Sequence, residues 1–121
     1  MLVINAEQLG RLAEATDEVF LKDAAVRIAE YWPKRAERLG PQALMTRLRA
    51  VRGVALGHGI KERPDLLRLA NMAMALEDDL SGAALAWVHP LLADTRLRPG
   101  DRLDVLDDKV REWLLERSMD I

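Results

Sequence analysis

Apolar residues recur at spacings of three and four along most of this 121-residue chain, the signature of helices with one buried face. The pattern is densest from Pro41 to Leu76. Over Gln42 to Leu56, Leu44, Leu48, Val51 and Ala55 share one face, while Val54 and Leu56 fall outside it. A helix with apolar side chains on more than one side expects several neighbours. Asp65 to Leu76 repeats the theme with Leu66, Leu69, Ala70, Ala73 and Leu76, broadened by Leu67 and Met74. Between the two lies Gly57-His58-Gly59-Ile60, a turn whose glycines permit positive φ and whose Ile60 is expected to drop into the core.

Upstream, Asn5 is placed as an N-cap, and Leu9, Leu12, Thr16, Phe20, Ala24, Ile28 and Tyr31 keep helical spacing. One long helix, or two broken near Thr16-Asp17, satisfies that spacing. Pro33 disfavours helical geometry at Trp32 and begins a short helix that Gly40 caps; Pro41 then opens the next. Downstream, Glu77-Asp78-Asp79 would oppose a helix C-terminus and are expected in solvent beyond it. Ala83 to Ala93 predicts a short helix with Pro90 early in it or dividing it, and Asp94 to Arg98 a loop. Pro99 starts a last helix with Leu103, Leu106, Val110, Trp113 and Leu114 in one stripe, Val105 and Leu115 off it, and a tail from Ser118 that frays. No stretch alternates as a strand does. The expectation is an all-α fold: a single compact domain, residues 1–121, of five or six helices with short loops.

Composition narrows the classes. Half the residues are hydrophobic, enough for a core. The absence of cysteine excludes disulfides, thiolate metal sites and a cysteine nucleophile. Met1 to Asn5 lacks the basic flank and long apolar run of a signal peptide, and no apolar stretch is long enough to span a bilayer. A cytoplasmic protein with no membrane partner is expected. The net charge of −2 hides a partition: −3 over residues 1–32, +6 over 33–68 and −5 over 69–121. Such patches solvate a mixed helical surface or meet a charged partner.

Candidate chemistry adds little. His58 and His89 have no second ligand at metal-binding spacing, so structural or exposed roles are expected and no metal is. Asp101, Asp104, Asp107, Asp108 and Glu112 form an acidic helix face with nothing placed opposite it. Ser81 and Ser118 lack a nucleophile elbow, and no phosphate loop occurs. No catalytic residue and no cofactor follow, so the chain does not read as an enzyme. Arg47, Arg49 and Arg52 precede a glycine turn as in a helix-turn-helix, but they point in different directions and the next helix has little to read base edges. Nucleic acid is not an expected partner. Trp32, Trp87, Trp113, Met72 and Met74 lie at helix ends or stripe margins, where they either complete the core or form a protein-binding patch.

The order of motifs resembles a family of small helical accessory proteins of bacterial type VI secretion clusters, encoded beside effectors and their loading chaperones. The likeness runs through Phe20-Leu21 and Tyr31-Trp32-Pro33, Glu37-Arg38-Leu39-Gly40, Val54 to Ile60, Glu62-Arg63-Pro64-Asp65 and Leu66 to Asp79. It continues from Trp87 through Leu92-Ala93-Asp94 to Arg102-Leu103. The chain departs from it at Lys61-Glu62-Arg63, where relatives carry a small N-cap hydroxyl, and at Leu80, where an aromatic follows the acids. These are packing and turn motifs. The resemblance implies a non-enzymatic adaptor or co-chaperone that binds a secretion effector or its loading chaperone in the bacterial cytoplasm, with self-association left open. On that reading the partner meets an apolar edge at Met72, Met74 and Trp87, supported by Arg49, Arg52 and Arg63. An immunity protein that neutralises a toxin directly is the alternative, ahead of a DNA-binding regulator.

Overall fold

The structure, a computed structural model, describes residues 6–119 and the side chains of 18–117. The described residues form six α-helices and one 3-10 turn, with no strand. The helices are α1 (Ala6–Tyr31), α2 (Pro33–Leu39), α3 (Pro41–Gly57), α4 (Arg63–Leu76), α5 (Val88–Leu92) and α6 (Pro99–Met119), with the 3-10 turn at Ala83–Leu85. The fold is all-α, as the apolar spacing requires. None of the helices is long and apolar enough to cross a membrane. Asn5, the side chains of Leu9, Leu12, Thr16, Ser118 and Met119, and residues 120–121 lie outside the described residues; the backbone of the expected frayed tail stays helical through Met119. Packing groups the chain into two units, Met1–Met45 and Thr46–Ile121, with the boundary inside α3.

In the first unit α1 runs unbroken to Tyr31 and stops where Pro33 forces Trp32 out of helical geometry (φ −121°, ψ 59°). Leu21, Ala24 and Ile28 are buried along α1, with Ala36 of α2 and Leu44 of α3. Tyr31 is not part of that face: it is 72% exposed and leans edge-on against Trp32. Gly40 takes φ 82° to cap α2, its N–H donating to Ala36 O at 3.0 Å. A side chain there would be strained, which is why the helix-ending residue is glycine.

The second unit holds the larger buried set. Leu48, Val51 and Ala55 of α3 are buried, as are Leu66, Leu69, Ala70, Met72, Ala73, Met74 and Leu76 of α4. The turn after α3 behaves as its glycines predict. Gly59 has φ 74°, Ile60 N–H donates back to Ala55 O at 2.9 Å, and the Ile60 side chain is fully buried. Helix α4 ends on Glu77 in a left-handed conformation (φ 55°), its N–H satisfied by Ala73 O and Met74 O.

The acids after α4 are not left in solvent. Only Glu77 is exposed; Asp78 and Asp79 are half-buried and brace the loop. Asp78 accepts from Gly82 N–H at 3.1 Å, and Asp79 accepts from the Ser81 backbone at 3.0 Å and from its hydroxyl. The Ser81 hydroxyl bond, then the backbone bond, holds the Asp79 carboxyl below its ordinary range. A carboxylate two residues before a free N–H closes a local turn, a use that outweighs the opposed helix dipole. The segment Ala83 to Ala93 splits into the 3-10 turn and α5, with Pro90 inside α5. On α6, Leu103, Leu106 and Val110 are buried, Trp113 and Leu114 are half-buried, and Val105 and Leu115 are exposed, in keeping with the stripe.

Candidate partner-binding cleft

Helices α5 and α6 pack side by side in the second unit. Their far ends leave an open cleft of about 280 Å³ between Trp87 and Leu91 on one wall and Trp113 on the other. The two indoles stand 6.3 Å apart between centroids and tilt 41° from parallel, within the range of interacting aromatic pairs. Lys109, Glu112 and Glu116, spaced three and four along α6, supply the charged rim. Lys109 reaches Glu112 at 3.3 Å, and the Arg117 guanidinium lies 4.6 Å from the Trp113 centroid. The surface is apolar at its floor and charged at its edge, the anatomy of a protein contact. The Trp87 indole N–H is buried and has no acceptor among the described residues, a cost of about 1–3 kcal/mol.

Behind the cleft a polar cluster ties α5 to its surroundings. Arg102 is buried on α6 and donates to three carbonyls: Leu97 O at 2.9 Å, His58 O at 2.9 Å and Leu92 O at 3.2 Å. His58 and His89 face each other at 3.4 Å (Nε2 to Nδ1), and His89 Nε2 lies 2.9 Å from Leu80 O. Burial, then the nearby His89 and Arg102, lowers the His58 pKa from its ordinary 6.5. Sequence spacing gave these histidines no partner, yet they meet across 31 residues. No pattern in the chain encodes that meeting. Arg102 had a signal: with Leu106 and Val110 it continues an i, i+4 row into the buried stripe. Among the described residues no three His, Asp or Glu side chains converge as metal ligands.

The six residues expected at a partner surface separate. Met72 and Met74 are core residues, 5% and 0% exposed, and this corrects their assignment to an exposed apolar edge. Helix α4 is buried over most of its surface, so side chains at the stripe margin are enclosed as well; Met74 Sδ also receives Arg47 Nη1 at 3.9 Å. Trp87 is half-buried and lines the cleft. Arg49 and Arg63 are exposed and Arg52 is half-buried, but none of the three lines it. Trp113, weighed from the sequence as core or patch, lines it too, as does Leu91, which was not singled out.

No family model, curated protein or solved structure matches this chain.

Proposed function

We propose that this chain is a non-enzymatic adaptor or co-chaperone that holds a type VI secretion effector, or the chaperone that loads it, in the bacterial cytoplasm before delivery. The observation that carries the reading is the open Trp87–Trp113 cleft, an aromatic floor inside a charged rim on a helical surface. Tryptophans in such settings are the side chains whose truncation costs a complex most. The order of the turn and packing motifs supplies the kind of partner. The exposed Arg49 and Arg63 add positive charge to the surface, which favours encounter with an acidic one.

Co-expression with the neighbouring chaperone and effector tests the proposal. Leu91→Glu and Trp113→Ala should fold and should weaken co-purification at least about tenfold. Undiminished binding by both variants removes the cleft from the interface. Tight binding to a toxin's catalytic domain alone, with protection of cells that express it, replaces the adaptor by an immunity protein.

A further inference from the structure

We propose that the first unit pairs this chain with a second copy of itself. In the pair, α1 of each copy seats antiparallel against the groove that α1, α2 and α3 form in the other. This surface is separate from the Trp87–Trp113 cleft, and the proposal stands whether or not the adaptor reading does.

Helix α1 carries apolar side chains on two sides. Leu21, Ala24 and Ile28 are buried inside the unit. Val26 stands two residues from both Ala24 and Ile28, about 200° around the helix, so it faces away from that core. Val19, seven residues earlier, returns to the same side. The two valines are 57% and 69% exposed. Beside this ridge lies a groove of about 510 Å³, lined by the buried Ala36 and Leu44 and by Val26, Ala29 and Pro33. Its one charged lining residue is Glu37, and all of its lining residues fall between 25 and 45, within the first unit. The occupant that suits it is an apolar helical ridge carrying a cation. Val19, Lys22 and Val26 make such a ridge, and it borders the groove itself.

Charge selects the direction. In a two-fold pair that crosses at Val26, a residue before Val26 meets the residue equally far after it in the other copy. Lys22 and Glu30 stand four residues either side of Val26, both exposed, on the i±4 row along which crossing helices interlock. Run against itself, that row sets Lys22 of each copy beside Glu30 of the other, twice over. A parallel pair would set lysine on lysine and glutamate on glutamate. Among the described residues neither Lys22 nor Glu30 has an ion-pair partner in its own chain, whereas Asp23 beside Lys22 is engaged by Arg27 at 3.3 Å. Val19 and Pro33 stand seven residues either side of Val26, so the valine of one copy comes over the proline that lines the groove of the other. The patch is self-complementary and closes at two copies. Two valines and an open groove per copy put the contact at the small end of specific interfaces. Dilute protein is therefore monomeric, and the pair forms by mass action as concentration rises.

Sedimentation equilibrium between about 1 µM and 1 mM should show monomer giving way to dimer. Val26→Glu should keep the helical circular dichroism of the parent, since Val26 is 57% exposed, and should stay monomeric throughout. At low ionic strength Lys22→Glu and Glu30→Lys should each weaken dimerisation about tenfold. Combining them should recover it, because the swap restores both pairs. A parent that stays monomeric leaves the groove to some other partner and overturns the proposal, as does a dimer that survives Val26→Glu. Single charge variants that dimerise like the parent, or a double variant no better than either single one, also overturn it. The chain has no cysteine, so Val26→Cys adds one thiol at the two-fold axis. Oxidation at dimer-forming concentration should then yield a covalent dimer, while Leu115→Cys, exposed on α6, should not. Equal cross-linking at the two positions overturns the placement.

Discussion

The two units use similar helices and spend their apolar residues differently. In the first, the described part of α1 leaves Val19 and Val26 on the surface at 69% and 57% exposure. Small side chains (Ala25, Ala29, Ala36 and Gly40) help line a groove of about 510 Å³, and Glu37 is its one charged lining residue. In the second, branched and long apolar side chains fill the space, and Ile60, Leu69, Met74, Leu80, Leu92 and Leu103 are fully enclosed. Loop carbonyls at the edge of that enclosure need donors, and Arg102 donates to three of them. The first unit, with small side chains along its groove, leaves Val19 and Val26 to solvent. The second, built on leucine and methionine, has to solve a polar problem at its edge.

Removing that solution is the hardest blow to the contrast. Arg102→Leu keeps volume on α6 but strips the donors from Leu97 O, His58 O and Leu92 O. The expected loss is about 4 kcal/mol, since each bond from a charged donor is worth roughly 1.5–3 and some carbonyls will recapture water. Urea denaturation measures it. A loss below about 1 kcal/mol would mean the carbonyls are satisfied without the guanidinium.

Next in size is a matched pair. Met74→Ala, at a position 0% exposed, should cost about 2–5 kcal/mol through lost burial and the cavity left behind. Val26→Ala in the groove of the first unit, at 57% exposure, should stay within about 0.5 kcal/mol. Thermal midpoints of the two variants compare the units directly. Equal losses would show that Val26 is enclosed in solution and would erase the contrast.

What could be read from the chain follows the range of the forces involved. Gly40-Pro41 and Gly57-His58-Gly59-Ile60 were legible because caps and turns answer to local backbone geometry: φ 82° at Gly40 and φ 74° at Gly59 are positions that favour glycine. Val105 and Leu115 were placed correctly as exposed because a single helix period sets them off the stripe. Met72 and Met74 were misplaced because their burial depends on neighbours surrounding α4, which a one-helix projection does not contain. Trp87 meeting Trp113, and His58 meeting His89, depend on tertiary packing over 26 and 31 residues, beyond the reach of any spacing rule. The cleft was therefore only half visible, through Trp87 and Trp113 as separate residues at helix margins and not as a pair.

The smallest expected effect separates two glycines by backbone alone. Gly53 lies inside α3, is exposed, keeps negative φ, and has open space where a Cβ would go. Gly53→Ala should therefore stabilise the protein by about 0.5–1 kcal/mol, because alanine restricts the unfolded chain and suits the helix interior. Gly40 also has open space around a built Cβ, yet its φ of 82° is one that L side chains rarely adopt. Gly40→Ala should destabilise by about 1 kcal/mol. Opposite signs in denaturant midpoints would show that the Gly40 cap, and not steric room, fixes the chain's passage from α2 to α3. Matching gains would mean that the residue ending α2 can relax out of the left-handed region at no cost.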